Sequence, residues 1–267
     1  MNFSVSPLGA FGDLVNQRCR RVSRRRRLVN PKGGSIIFLN SNRITIVDQK
    51  SIIRVPTELV IFDCDGVLVD SETLGNRVLV QFVAEFGLAL ELEEAILLFK
   101  GCKMADCVAV IEQRLEQKLP QDFVTQLRAR TAEAFERELL PVVGIEAALD
   151  EINLPICVAS SGPLEKIKLA LRVTNLLPRF EGRIFSSYEI GSWKPAPDLF
   201  LCAAKNMGVQ PSSCTVVEDS VLGVRAGVAA NMKVLRYTNQ SEATLLESFG
   251  VTVFHSMCQL PCLLSHH

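Results

Sequence analysis

Residues 58–70 run Glu58-Leu59-Val60-Ile61-Phe62-Asp63-Cys64-Asp65-Gly66-Val67-Leu68-Val69-Asp70. Four apolar residues lead without alternation into an acidic cluster. Such a run predicts a short strand buried on both faces, as in a parallel sheet. Similar runs follow at Ile156-Cys157-Val158-Ala159, Ile184-Phe185, Thr215-Val216-Val217 and Val234-Leu235. Between them, residues 163–177, 197–208 and 220–231 carry apolar residues at helical spacing. This alternation predicts an α/β fold with crossover connections. Polar residues close several of the strands, and open α/β sheets place their sites at those ends.

The first strand is not followed directly by the second. Residues 72–140 show helical patterns only, with Val78, Val80, Phe82, Val83 and Phe86 on one stretch, Val108, Ile111 and Leu115 on another, and Phe123, Leu127 and Phe135 on a third. Pro141 and Gly144 mark the return. The block predicts an inserted cap domain over 74–140. The catalytic core would then be 57–73 and 141–258, with a C-terminal tail at 259–267.

The chain has 267 residues, 48% of them hydrophobic and 22% charged, which is too apolar for a disordered protein. No apolar stretch approaches about 18 residues, which excludes a membrane-spanning helix. Basic and acidic residues balance at 29 each, but unevenly along the chain. Residues 1–56 hold eleven basic residues, including Arg24-Arg25-Arg26-Arg27, against Asp13 and Asp48. The acidic remainder is not a nucleic-acid-binding surface. The Arg- and Ser-rich extension has the composition of a transit peptide, or else of a disordered basic tail. The expected location is cytoplasmic, or organellar if the extension is a transit peptide. Its short apolar pieces, Ile36-Ile37-Phe38-Leu39 and Ile44-Thr45-Ile46-Val47, could pair as a hairpin.

Nine cysteines, with no C-x-x-C pair, predict a reducing compartment and no disulfide framework. The spacing of Cys258, Cys262 and the tail histidines fits none of the usual zinc patterns. All three histidines lie in the last thirteen residues, which argues against histidine-based nucleophilic catalysis.

Asp63 and Asp65 would repel each other if both were buried alone. A bound divalent cation removes the conflict, and an oxygen-rich site with few protein ligands suits Mg²⁺. Asp-x-Asp-Gly by itself is also an ordinary acidic turn. The rest of the chain adds to it. Val217-Glu218-Asp219-Ser220 puts two more acids at a strand end. Ser160-Ser161-Gly162 offers hydroxyls and backbone N–H groups before a helix, an arrangement that suits an anion. Trp193-Lys194-Pro195 adds a lysine. Together these make a phosphate site with a metal.

These motifs, in this order, resemble the haloacid dehalogenase-type phosphohydrolase superfamily over about residues 57–258. The resemblance implies a three-layer α/β core with a parallel sheet and an inserted small helical cap. It implies Asp63 as nucleophile, forming an aspartyl-phosphate, and Asp65 as general acid–base. Ser160, Ser161 and Lys194 would hold the phosphoryl oxygens. Mg²⁺ would be held by Asp63, the Asp65 backbone carbonyl and Asp219, with Glu218 in or near the shell. Asp65 favours phosphoryl transfer over carbon–halogen cleavage, because the dehalogenases of the superfamily do not need a second Asp.

Within the superfamily, Asp70-Ser71-Glu72, the Phe-Lys-Gly-x-Lys run at 99–103, the Ser-x-Gly-Pro at 160–163 and Trp193-Lys194-Pro195 are most similar to the bacterial 6-phosphogluconate phosphatases. Lys100 and Lys103 would meet the substrate, and a sugar-acid carboxylate would explain them. They are otherwise a solvated surface pair. The β-phosphoglucomutases carry a histidine where this chain has Gly75, so the resemblance favours a hydrolase. The expected partner is a small-molecule phosphate ester, with no nucleic acid or membrane, and the chain is expected to be a monomer. The alternatives are a mutase-like phosphoryl transfer and a non-catalytic binding protein.

Overall fold

The structure is a computed structural model that describes residues 27–29, 35–40, 43–48, 55–99, 102–238 and 251–265. The chain divides into two compact units, Met1–Arg54 and Val55–His267. In the first, β1 (Arg27–Val29), β2 (Ser35–Asn40) and β3 (Arg43–Asp48) form an antiparallel sheet in the order β1-β2-β3. The Asn40↔Arg43 pair closes the β2–β3 hairpin.

The second unit is built on six parallel strands. They are β4 (Leu59–Phe62), β5 (Ile156–Ser160), β6 (Ile184–Ser186), β7 (Cys214–Glu218), β8 (Lys233–Tyr237) and β9 (Thr252–Phe254), in the order β6-β5-β4-β7-β8-β9. The unbroken apolar runs have a direct cause in the two faces of the sheet. Side chains alternate across a strand. In β4, Val60 and Phe62 enter one apolar cluster while Leu59 and Ile61 enter the other. In β7, Val217 faces the first cluster and Val216 the second. Helices cover both faces, giving the three-layer core.

The helices, in chain order, are α1 (Ser71–Ala84), α2 (Leu92–Phe99), α3 (Met104–Leu115), α4 (Phe123–Glu138), α5 (Ile145–Glu151), α6 (Leu164–Val173), α7 (Leu177–Phe180), α8 (Ser187–Ile190), α9 (Asp198–Asn206), α10 (Val221–Ala229) and α11 (Leu260–Ser265). The first four form the insertion between β4 and β5. Phe82 of α1 stacks on Phe123 of α4 at 4.8 Å between ring centroids, and Phe86 meets both edge-on. Leaving and returning chains are tied at the junction. Asp70 N–H donates to Leu140 O at 3.0 Å, and Val142 N–H to Leu68 O at 3.0 Å. Leu260 and Leu264 of α11 are buried in the same cluster as Ile145 of α5. Among the described residues no helix is long and apolar enough to cross a membrane.

Candidate functional site

Sheet order brings the motifs together. β4 pairs with β5 on one side and β7 on the other, with Phe62 opposite Val158 and Val217. Asp63, one residue on, therefore stands beside the ends of both neighbours, where Ser160 and Glu218 emerge. Its N–H donates to Val217 O at 3.0 Å, extending the ladder past the strand. Lys194 follows α8 and crosses over the same strand ends.

Lys194 Nζ lies 2.6 Å from Asp63 Oδ1 and 2.5 Å from Glu218 Oε1, with all three side chains buried. Glu218 Oε2 accepts from Ser220 N–H at 2.7 Å and Ser220 Oγ at 3.0 Å. Ser220 Oγ in turn accepts from Gly223 N–H at 3.0 Å, capping α10. The helix cap and the carboxylate thus fix each other. Oxygens of Asp63, Glu218 and Asp219 lie within 4.8 Å of one another. Gly66 adopts φ +77, and a Cβ there would lie 2.7 Å from Asp219 Oδ2, so both the turn and the space require glycine.

The electrostatics follow from two carboxylates, Asp63 and Glu218, sharing one ammonium with Asp219 close by. Burial drives the Asp63 carboxyl well above its ordinary value. Lys194 pulls it down, and Glu218, Asp65 and Asp219 push it up again. Burial works against the charge on Lys194, but Asp63 and Glu218 leave its pKa raised. The cluster retains excess negative charge that a cation would balance. A donor set made only of carboxylate oxygens suits a hard divalent ion such as Mg²⁺.

Asp65 is held separately. Its Oδ2 and Oδ1 lie 2.8 Å and 2.9 Å from Lys166 Nζ, and Ser71 Oγ donates to Oδ1. Burial would raise this carboxyl too. The charge and hydrogen bond of Lys166, with Ser71, bring it below its ordinary value. Two aspartates two residues apart thus sit in opposite environments. Ser160 is fully buried, and its Oγ accepts from Gly162 N–H at 3.2 Å.

These groups line one cavity of about 570 Å³, together with Ser161, Gly75 and residues of the helical insertion. Lys103, at the N-terminus of α3, places its ammonium 4.8 Å from the Trp193 ring centroid. Arg128 of α4 donates to Tyr188 Oη at 3.1 Å. Lys100 lies outside the described residues. Of the sequence candidates, Asp63, Asp65, Ser160, Ser161, Lys194, Glu218, Asp219 and Lys103 share the cavity. Motif reasoning missed Lys166 and Arg128. Lys166 did leave a signal. It stands in the first turn of α6, where the helix dipole disfavours a cation, so a partner was to be expected.

The family model for haloacid dehalogenase-like hydrolases matches residues 57–231. The 6-phosphogluconate phosphatase of Escherichia coli (strain K12) is 37% identical over 205 residues, covering 76% of this chain and 93% of that protein. Hexitol phosphatase B of the same strain is 32% identical over 178 residues, covering 65% of this chain and 80% of its own. A solved hydrolase of the family from Deinococcus radiodurans R1, with bound phosphate and sodium, superposes with a TM-score of 0.65 at 30% identity. It covers 79% of this chain and 96% of its own.

Proposed function

We propose, from the premise that the chain belongs to the haloacid dehalogenase-like hydrolases, that it hydrolyses a sugar-acid phosphate, 6-phosphogluconate foremost, through a phosphorylated Asp63. It is a phosphoric monoester hydrolase acting on sugar phosphates. The observation that carries the route through Asp63 is the floor of the cavity. There a buried Asp63 carboxylate sits 2.6 Å from Lys194 and beside Glu218 and Asp219.

In the first step Asp63 Oδ attacks phosphorus and the bond from phosphorus to the sugar oxygen breaks. Asp65, which Lys166 holds ionised in the free protein, must take up a proton as the anionic ester enters, and gives that proton to the departing oxygen. In the second, water attacks phosphorus and gives a proton back to Asp65. The bond from phosphorus to Asp63 then breaks, releasing phosphate and restoring both carboxyl groups. Lys194, Ser160 and Ser161 orient the phosphoryl oxygens where charge develops. Asp63, Asp219 and the Asp65 carbonyl would hold Mg²⁺, with Glu218 adjacent. The ion would supply positive charge against repulsion between Asp63 and an anionic ester. Glu218, bonded to Lys194 and Ser220, sets the lysine in place.

Gly75 supports hydrolysis over mutase chemistry. It lines the cavity, and a Cβ there would meet nothing within 4 Å, which leaves room for water. Lys103 supplies a cation for a distal carboxylate. The chain is proposed to work as a monomer, without nucleic acid.

The test is phosphate release with Mg²⁺ from a panel of 6-phosphogluconate, hexose phosphates and hexitol phosphates, comparing wild type with Asp63→Asn. Release led by 6-phosphogluconate and abolished in the variant is expected. Another leading ester would overturn the substrate, and an active Asp63→Asn would overturn the mechanism.

A further inference from the structure

We propose that Lys166 is a positioning residue for Asp65, setting how well the leaving group is protonated and hence how strongly the enzyme favours alkyl over aryl esters. The proposal rests on the reading of Asp65 as proton donor given above. It begins from a conflict. Lys166 is the third residue of α6, whose N-terminus opens on the cavity, and a cation there opposes the helix dipole. Its neighbour Glu165 has the sign the dipole favours. The dipole gives no reason for a lysine in the first turn, but the site does, since Nζ contacts both Asp65 oxygens at 2.8 Å and 2.9 Å.

The side chain is also guided along its length. Its ammonium lies 5.8 Å from the centroid of Phe135, a buried ring of α4 in the helical insertion. Its Cδ passes over Gly162, 3.6 Å from where a Cβ would stand. Asp65 is therefore gripped from two sides. Ser71, first residue of α1 at the junction with the insertion, bonds Oδ1 alone. Lys166, on the core, bonds both oxygens. One hydrogen bond to one oxygen leaves the carboxylate free to turn about that contact. Two further bonds from a single ammonium fix its plane.

Leaving groups differ in what they need from Asp65. A sugar alkoxide is a poor leaving group and depends on the proton. A 4-nitrophenolate departs without one. The first irreversible step, reported by kcat/KM, therefore senses Asp65 for alkyl esters and barely senses it for aryl esters. A purely structural role for Lys166 would lower both alike.

The experiment measures kcat/KM for 4-nitrophenyl phosphate and for the fastest alkyl ester among 6-phosphogluconate, hexose phosphates and hexitol phosphates. It compares wild type, Lys166→Met, Lys166→Gln, Lys166→Arg and Asp65→Asn. The alkyl-to-aryl ratio is expected to fall tenfold or more in Lys166→Met and Lys166→Gln, and to stay nearer wild type in Lys166→Arg. Lys166→Gln decides the matter if Lys166→Met does not fold. A Lys166→Gln ratio within twofold of wild type or above it, while Asp65→Asn lowers it, would overturn the proposal and leave Asp65 as the acid, since loss of the ammonium by itself only makes Asp65 easier to protonate. A ratio unmoved by Asp65→Asn would overturn the reading of Asp65 itself, and this proposal with it.

Discussion

Gly223→Ala sets two physical effects against each other with opposite signs. Gly223 lies within α10, where alanine is favoured over glycine by up to about 1 kcal/mol. Helix propensity alone predicts a more stable protein. The site predicts the reverse. A Cβ at 223 would stand 1.8 Å from Glu218 Oε1 and 2.0 Å from its Cδ. Ordinary contact needs roughly 3.4 Å, so the carboxylate would have to retreat by about 1.5 Å. Glu218 is buried, and its bonds to Lys194 Nζ at 2.5 Å and Ser220 N–H at 2.7 Å would not survive such a shift. Hydrogen bonds to charged groups contribute about 1.5–3 kcal/mol each. Losing two and gaining the helix term leaves a net loss of about 3 kcal/mol. For a domain of this size that lowers Tm by about 6–12 °C. Circular dichroism melts of wild type and Gly223→Ala measure it, and kcat for a sugar phosphate should fall alongside. Adding Glu218→Asp, which draws the carboxylate back by one methylene, should recover part of the Tm, a coupling that a double-mutant cycle isolates. A Gly223→Ala protein that melts at or above the wild-type temperature with kcat intact would refute the claim that glycine here makes room for Glu218.

Mg²⁺ at a hundred times its Kd is expected to stabilise the protein by about 2.7 kcal/mol. The thermal shift should be reversed by chelator and weakened in Asp219→Asn, and no shift would count against a metal at the carboxylate cluster. Lys103→Ala is expected to lower kcat/KM for 6-phosphogluconate about tenfold relative to a hexose phosphate, which lacks the carboxylate, as for one charge-assisted hydrogen bond. Equal losses on both esters would remove the carboxylate role. Burial pushes the Cys157 thiol up to about 12. An unfolded cysteine loses its proton near pH 8.5, about three and a half units lower, so the folded state holds the extra proton between those values. Stability is then complete below about pH 8.5 and is lost as pH rises toward 12. Urea midpoints should fall steadily between pH 9 and 11, and a flat profile would contradict this. At pH 8 the exposed Cys258 and Cys262 should react with iodoacetamide, and labelling of Cys157 in the folded protein would refute its burial.

Much of the molecule is local chemistry written along the chain. An apolar run such as Leu59–Phe62 is buried on both faces wherever a parallel sheet forms, so it announces a central strand without reference to its neighbours. Helical patterns across 72–140 announce the insertion in the same way. Asp63, Asp65, Ser160, Lys194, Glu218 and Asp219 are legible as candidates because each ends or follows a strand, or sits in a loop, at the C-terminal side of the sheet. Other features depend on contacts between residues distant in sequence. Lys166 meets Asp65 across 101 positions, and Arg128 meets Tyr188 across 60. No spacing rule relates residues on separate elements. Glu218 could be read as an acid at a strand end. That one of its oxygens holds Lys194, the other Ser220, and that Gly223 must lack a side chain for either to happen, emerges only once α10 packs against β7. Hydrophobic periodicity is a property of single elements and survives in the sequence. The partner of a buried charge is chosen by how those elements pack.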